Sequence, residues 1–181
     1  CGLLDPFASA LGRKGHALRI DCQSEEVQAV AMAGDGLGIL LVHSGVERRL
    51  AEGAYGERVD ECARAVASAI EAGIAPGSAR SLRELEGVDL AALARALDPV
   101  SFQRARHVLG ENRRVIAFCR ALEEDDRPAL GRLLAEGQAR LRDDYAVSTP
   151  EIAWLCEQAA DCDGVVGARL TGAGLGGVPL H

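Results

Sequence analysis

A glycine-rich run near the end of the sequence has the spacing of a phosphate-binding loop. Gly172, Gly174 and Gly177 satisfy the pattern G-x-G-x-x-G, in which glycines allow a backbone to approach a phosphate closely. The dinucleotide form of this motif needs a helix directly after the loop, so that the helix N-terminus meets the pyrophosphate. Four residues follow Gly177 in this sequence, so we do not expect the dinucleotide form of the motif here. Two interpretations stay open: a turn between antiparallel strands, or a loop that lies close to a phosphate or to another loop.

A carboxylate near the start of the sequence is the second candidate for chemistry. Asp5 precedes Pro6, and Gly12 follows after a short stretch. Asp is a strong N-cap, Pro suits the first helical position and Gly suits the exit, so the sequence predicts a short helix that begins at Asp5. The carboxylate could cap this helix, or it could act as a fixed general base. The local pattern alone favours the cap.

The six cysteines show no metal-binding spacing. No pair is separated as C-x-x-C, and no histidine lies at a zinc-finger interval from any of them. We expect reduced thiols in a cytoplasmic protein, with four of them in the core because they fall among apolar residues. These four are Cys22, Cys62, Cys119 and Cys156.

Composition and charge argue against two classes of partner. The net charge of −7 and the pI near 5.1 oppose binding to nucleic acid or to an anionic membrane. Aromatic residues make up 3% of the 181 residues, which is too few for a base-stacking platform. No apolar run of this sequence approaches the ~20 residues of a membrane span, and we expect no signal peptide. These features predict a soluble globular protein with an aliphatic core.

Hydrophobic periodicity predicts strands towards both ends of the chain and helices between them. Strands are predicted at 16–22, 27–33, 37–42 and 164–170 and at the C-terminal end, with a turn at 34–36. Helices are predicted at 55–73, 89–97, 98–122 and 130–141, and after the capping box Ser148-Thr149-Pro150-Glu151. Strands before and after a helical block are typical of an α+β fold.

Seven separated stretches, in register from Cys1 to the last strand, resemble the second half of the galactokinase family. That family belongs to the superfamily of galactokinases, homoserine kinases, mevalonate kinases and phosphomevalonate kinases. The terminal glycine motif is shared across the superfamily, whereas the stretches at 104–108 and 141–145 are typical of galactokinases. The seven stretches are Cys1-Gly2-Leu3-Leu4-Asp5, Gly15-His16-Ala17-Leu18 with Ile20-Asp21-Cys22, Arg104-Ala105-Arg106-His107-Val108 with Glu111-Asn112, Leu141-Arg142-Asp143-Asp144-Tyr145, Val147-Ser148, Pro150-Glu151, and 171–177.

The resemblance implies a fold and an activity. The α+β fold would consist of the end of a superfamily N-terminal domain (1–36) and most of a ferredoxin-like C-terminal domain with inserted helices (37–181). The activity would be transfer of the γ-phosphoryl group of ATP, with Mg²⁺, to the C1 hydroxyl of α-D-galactose. The phosphate loop and the metal ligands are expected upstream of Cys1. We therefore expect this chain to be part of a longer protein. The chain alone should have no metal site and no activity, and galactose and ATP are the expected partners of the whole protein.

The resemblance also implies roles for individual residues. Asp5 matches the family's catalytic aspartate, which also contacts the sugar, and Gly2 matches a backbone contact with the sugar. Tyr55 matches the tyrosine that contacts galactose, although its position also suits an apolar helix residue with an outward hydroxyl. Four glycines match the motif that supports the phosphate loop and lines the nucleotide site: Gly172, Gly174, Gly176 and Gly177.

Several positions depart from the family pattern or carry an open interpretation. His43 stands where Asp or Asn is usual, which leaves the sugar selectivity open. Gly137-Gln138 replaces a usual Ser-His pair, so the polar contact of that pair is lost or remade. His107 and the surrounding arginines are expected on a solvated or interdomain helix face.

A catalytically inactive relative that senses sugar and ATP, a class known in the family, is the alternative function.

Overall fold

The computed structural model describes residues 4–32, 36–46, 51–172 and 174, and it is mostly helical with one small sheet. The elements in chain order are α1 (Leu4–Leu11), β1 (His16–Ile20), β2 (Val27–Ala31), α2 (Ala51–Glu71), a 3₁₀ turn (Leu82–Leu85), α3 (Leu90–Ala96), α4 (Pro99–Glu123), α5 (Arg127–Asp143) and α6 (Pro150–Ala160). All six predicted helices are present, and the sheet of the described residues has two strands. The ferredoxin-like arrangement and the division of the chain after residue 36 stay predictions.

β1 and β2 form an antiparallel hairpin, as their alternation predicts. The turn between them is held by Asp21, whose carboxylate accepts hydrogen bonds from the backbone N–H groups of Gln23 and Ser24 at 3.0 and 3.3 Å. Because this turn begins at Asp21, β1 ends at Ile20 rather than at Cys22. Cys22 is exposed in the turn, so its predicted place in the core is wrong.

The remaining described cysteines are free thiols on helices or just after one. Three of them were expected in the core and are partly buried there, since each lies on a helix face that packs against another element. These are Cys62, Cys119 and Cys156, while Cys162 is exposed after α6.

The apolar segment 37–42 is not a strand, contrary to the prediction. The side chains of Ile39 and Leu40 are 80% and 85% exposed, and Leu37 alone of this segment packs against a core cluster. A strand needs a neighbouring strand to pair its backbone N–H and C=O groups. None of the strands in the described ranges pairs with this segment. A continuous apolar run cannot reveal whether such a partner is present.

The segment 164–170 is also not a strand, because it packs on α5 instead of on a sheet. Gly131 makes this contact possible, since a Cβ at that position would lie 2.2 Å from the carbonyl oxygen of Val166. The backbone N–H of Leu170 donates to the side-chain oxygen of Gln138 at 3.0 Å. A helix side chain therefore satisfies a backbone group that the prediction assigned to a sheet.

The helix starts agree well with the sequence. The Asp98 carboxylate accepts hydrogen bonds from the N–H groups of Val100 and Ser101 at 2.9 and 3.0 Å, and Pro99 occupies the first position of α4. Asp89 caps α3 in the same way. These caps confirm the predicted starts, because they depend on residues that are close together in sequence.

The capping box predicted for α6 differs by one residue. The pattern Ser148-x-x-Glu151 predicts a cap at Ser148, but the Thr149 hydroxyl caps the helix and accepts from the N–H of Ile152 at 3.4 Å. The Ser148 hydroxyl is engaged elsewhere, since it accepts a hydrogen bond from the Gln138 amide at 2.9 Å. A tertiary contact thus moves the start of α6 by one residue.

The aliphatic core has two larger clusters that fix the helices and the hairpin to each other. One cluster joins α2, the 3₁₀ turn, α3 and α4 around the fully buried Leu85 and Leu93. The other joins β2 to α4 and α5 through Val30, Leu122 and Leu130. α4 belongs to both clusters and therefore lies at the centre of the described structure.

Candidate functional site

Asp5 lies in the first turn of α1 with an exposed side chain. Since α1 begins at Leu4, Asp5 is inside the helix and is not its N-cap, so that part of the prediction is wrong. Pro6 fits beside it because residues of the first turn need no intrahelical backbone donor. No hydrogen bond or ion pair within the described residues engages the Asp5 carboxylate. The group is therefore accessible to a ligand.

Tyr55 lies in the N-terminal half of α2, and its side chain is 63% exposed. This exposure leaves the Tyr55 hydroxyl free to meet a ligand, and the sugar contact of Tyr55 stays a prediction. The hydroxyl can donate or accept a hydrogen bond. Tyr55 is also near enough to Tyr145 to help raise the pKa of that residue. The Tyr55 ring therefore lies at the protein surface.

Two glycines of the terminal run are described, and both need to be glycine. Gly172 and Gly174 have φ angles of 75° and 73°, a region in which other residues are strained. A Cβ on Gly174 would lie 2.5 Å from the carbonyl oxygen of Val147. This geometry supports a loop that lies close to another loop, the connection between α5 and α6. The other glycines predicted in the site lie outside the described residues: Gly2, Gly176 and Gly177.

The Gly137-Gln138 pair on α5 positions the segment that leads to the glycine run. Gln138 is 8% exposed; its amide donates to Ser148 at 2.9 Å and its oxygen accepts from Leu170 at 3.0 Å. Gly137 leaves space for the Arg169 guanidinium, which lies 3.0 Å from where a Cβ would be. The sequence left open whether the polar contact of the usual Ser-His pair is lost or remade. In this structure Gln138 makes polar contacts at that position.

Arg104 and His107 do not lie on a solvated face, so that alternative of the prediction is wrong for these two residues; Arg106 is partly exposed. Arg104 and His107 are each 5% exposed. The reason is that α2 and α5 both pack against α4 and cover these side chains. Helical periodicity reports which face of a helix is polar, but it does not report whether another helix covers that face.

Ion pairs join α2, α4 and the end of α5 inside the fold. Glu61 on α2 accepts a hydrogen bond from Arg104 Nε at 2.7 Å and also pairs with Arg58. Arg104 donates a second hydrogen bond to the backbone carbonyl of Asp144. Burial alone would raise the pKa of Glu61, but the hydrogen bond and charge of Arg104, with the charge of Arg58, hold it below its ordinary value.

The Asp144 carboxylate is fully buried and closes this set of contacts. It accepts hydrogen bonds from Arg106 Nε at 2.9 Å and from Arg140 Nη1 at 3.1 Å. In the sequence, Asp144 was noted only as part of one stretch that resembles the family. The pair of aspartates at the end of a predicted helix could have singled it out. We call the following six residues the buried ion-pair chain: Arg58, Glu61, Arg104, Arg106, Arg140 and Asp144.

A stacked ring pair lies beside the buried ion-pair chain. The rings of His107 and Tyr145 are 4.5 Å apart at an angle of 18°. Burial lowers the pKa of His107 to about 4, opposed by the charge of Glu111, and its Nδ1 atom has no hydrogen-bond partner among the described residues. Burial and the nearby Cys62 thiol raise the pKa of Tyr145 to about 12. Both rings are therefore neutral at physiological pH.

His43 lies in an open pocket beside the start of α6. Its Nδ1 atom accepts a hydrogen bond from the Gly45 N–H at 3.0 Å, so the proton of the neutral ring is on Nε2. The pocket is lined by His43, Ser44, Pro150, Glu151, Trp154 and Leu155. Neither Asp5 nor Tyr55 is part of this lining.

The predicted site residues lie on separate elements. Asp5 is on α1, Tyr55 on α2, and Gly172 and Gly174 follow α6. Between these residues, all of them described, no hydrogen bond or ion pair is formed. Within the described ranges there is no cluster of three or more His, Cys, Asp or Glu side chains that could hold a metal ion. Across the same ranges, no helix is long and apolar enough to cross a membrane.

Comparison with known proteins gives consistent matches. Residues 118–178 match the family model described as the C terminal of GHMP kinases. Human galactokinase is 42% identical over 177 residues, which are 98% of this chain and 43% of the human protein. Galactokinase from Roseiflexus sp. (strain RS-1) is 41% identical over the same share of this chain and 44% of its own length.

A solved structure agrees with these sequence matches. The crystal structure of Lactococcus lactis galactokinase complexed with galactose superposes with a TM-score of 0.82 at 31% identity. The match covers 98% of this chain and 45% of that one, so the chain spans less than half the length of the relatives it matches. Both kinds of comparison agree with the in-register stretches of the sequence. The chain is therefore a homologue of galactokinases over 98% of its length, and its residues 118–178 match the C-terminal domain of GHMP kinases.

Proposed function

We propose that the protein containing this chain is a galactokinase, which transfers the γ-phosphoryl group of ATP to the C1 hydroxyl of galactose. The observation that carries this proposal is the 42% identity with human galactokinase over 98% of this chain. The similarity in fold to a galactokinase that was solved with galactose adds support. Because the chain spans less than half the length of these relatives, the activity is proposed for the whole protein.

Asp5 is the proposed general base of the reaction. Phosphoryl transfer to an alcohol asks the protein to position the reactants and to accept the hydroxyl proton. The Asp5 carboxylate is exposed in the first turn of α1, so the helix orients it and the helix dipole stabilises its negative charge. The C1 oxygen attacks the γ-phosphorus, its proton moves to Asp5, and the bond to the bridging oxygen breaks to release ADP.

Sugar and nucleotide recognition are proposed for the remaining family positions. The exposed hydroxyl of Tyr55 and the backbone at Gly2 would contact galactose. The positive φ angles of Gly172 and Gly174, and the contact of Gly174 with Val147, support a tight loop at the nucleotide site. Gly176 and Gly177 would continue this loop.

Magnesium is not assigned to this part of the chain. ATP-dependent kinases use Mg²⁺ with the nucleotide, but the described residues offer no cluster of acidic or histidine side chains that fits it. The ligands of the metal are proposed to lie elsewhere in the protein. We also propose a cytoplasmic location, which suits a protein whose described cysteines are free thiols.

The test is a kinase assay on the full-length protein with galactose, ATP and Mg²⁺. We expect ADP release and formation of galactose 1-phosphate, identified by phosphorus NMR. A panel of other hexoses measures the selectivity that His43 leaves open. Binding of galactose and ATP without turnover would instead support the alternative, an inactive sensor. Turnover of another sugar but not of galactose would overturn the proposed substrate.

A further inference from the structure

The N-terminal half of α2, which carries Tyr55, has little apolar packing of its own. Among the described side chains of this helix, the first that is buried is Ala65, whereas Tyr55 and Val59 are exposed. Gly53 and Gly56 weaken the same half, because glycine is a poor helix former. Contacts other than the apolar core must therefore hold this part of the helix in place.

Polar contacts supply that attachment. Between Tyr55 and Ala65, the described hydrogen bond from α2 to another element comes from Glu61, which accepts from Arg104 of α4 at 2.7 Å. The Glu61 side chain is 14% exposed and the Arg104 side chain 6% exposed. A charged pair at this depth loses its orientation when one partner is removed, because the other is left buried and unpaired.

Arg104 is itself held rigidly on its far side. It donates to the backbone carbonyl of Asp144, and the Asp144 carboxylate is fixed by Arg106 and Arg140. The attachment of α2 thus ends on the backbone of Asp144, a residue whose own carboxylate is fully buried. Through Arg104, the position of the Tyr55 half-helix is tied to both α4 and α5.

We propose that Glu61 and Arg104 are positioning residues for sugar recognition, which hold the N-terminal half of α2 so that the Tyr55 hydroxyl meets the sugar. Neither residue needs to touch the substrate. The proposal rests on the proposed function, because it concerns the sugar contact of that same site. It differs from a purely structural role, which would change stability without selectively changing the affinity for the sugar.

The first experiment compares two ion pairs in the full-length enzyme. Glu61→Gln removes the charge that binds Arg104. The matched control is Asp21→Asn. Asp21 forms an ion pair with Arg83 at 2.6 Å, its side chain is 17% exposed, and neither residue belongs to α2. We expect Glu61→Gln to raise the KM for galactose by about tenfold, since small misplacements of a contact residue cost affinity, with kcat and the KM for ATP little changed. Asp21→Asn should leave all three constants unchanged.

The second experiment asks whether Glu61 acts through Tyr55. In a Tyr55→Phe background, Glu61→Gln should no longer raise the KM for galactose, because the contact that it positions is already absent. Gly56→Ala should restore part of the lost affinity in the Glu61→Gln enzyme. A Cβ at Gly56 meets no atom within 4 Å, so the substitution strengthens the helix without a clash. If Glu61→Gln yields too little folded enzyme, Arg104→Lys serves in the same comparisons.

Amide hydrogen exchange provides a measurement that does not depend on activity. Glu61→Gln should speed exchange in the first half of α2 and leave its buried C-terminal half unchanged. Unchanged exchange, or a KM effect that persists in full in the Tyr55→Phe background, would overturn the positioning role. A full-length protein without galactose kinase activity would overturn the proposed function instead, and the exchange measurement would still decide whether the ion pair anchors α2.

Discussion

Asp5 is the residue on which the proposed chemistry depends most directly. Asp5→Asn keeps the size of the side chain but removes the group that accepts the hydroxyl proton. We expect kcat of the full-length enzyme to fall by roughly 10²–10⁴ with little change in the KM for galactose. The melting temperature should change little, because Asp5 lies inside α1 and has no described partner. Near-normal turnover would remove Asp5 from the mechanism and leave the homology to galactokinases intact.

His107 leads to a prediction about pH. Its pKa is lowered from 6.5 to about 4 by burial, so the unfolded chain binds a proton at this site before the folded chain does. The contribution of His107 to the free energy of unfolding is therefore complete above pH 6.5 and is lost as the pH falls towards 4. His107→Phe keeps a ring against Tyr145 and cannot titrate. Its melting temperature should depend less on pH in this window, and an equal dependence would contradict the assignment.

Residue roles were only partly predictable from the sequence. Asp5 and Tyr55 were found through family blocks, and their exposure agrees with a role in ligand binding. Burial of Arg104 and His107 was missed, because it arises from two helices that are distant in sequence and cover α4. Asp144 was missed for the same reason, since its importance follows from arginines on two other parts of the fold.

Among the secondary-structure elements, the helices were predictable and the later strands were not. An Asp-Pro pair starts α4 through contacts with the next few residues, so the local sequence contains the necessary information. The segments 37–42 and 164–170 have strand-like composition, but a strand forms only beside a partner. In the described structure the first segment has no such partner and the second packs on α5.

The loop that follows α6 provides a test at two glycines. Gly174→Ala places a Cβ 2.5 Å from Val147 as well as an L residue at positive φ. Gly164 also has positive φ, at 82°, but nothing lies within 4 Å of its Cβ position. We expect both alanines to destabilise the full-length protein by ~1 kcal/mol, and Gly174→Ala by a further ~1–3 kcal/mol from the clash. Only Gly174→Ala should also raise the KM for ATP; equal effects of the two variants would argue against the close contact.

The chain as a whole combines a well-packed helical part with an apolar surface that nothing in its described residues covers. α4 connects the two larger core clusters, and the buried ion-pair chain ties α2 and α5 to it. The similarity to galactokinases followed from stretches spread over the full sequence. The extent of the sheet did not, because sheet formation depends on which other strands are present.

The exposed segment 37–42 should cause the 181-residue chain to self-associate when it is produced on its own. Side chains such as Ile39 and Leu40, which are 80% and 85% exposed, favour association between copies, since contiguous apolar surface is driven out of water. We expect the sedimentation coefficient to rise with protein concentration. Leu40→Lys should suppress this rise by placing a charge in the surface that associates. Val115→Lys is the control, because Val115 on α4 is also exposed, at 48%, but lies outside the segment. A concentration-independent monomer, or equal suppression by both substitutions, would show that the segment does not drive association.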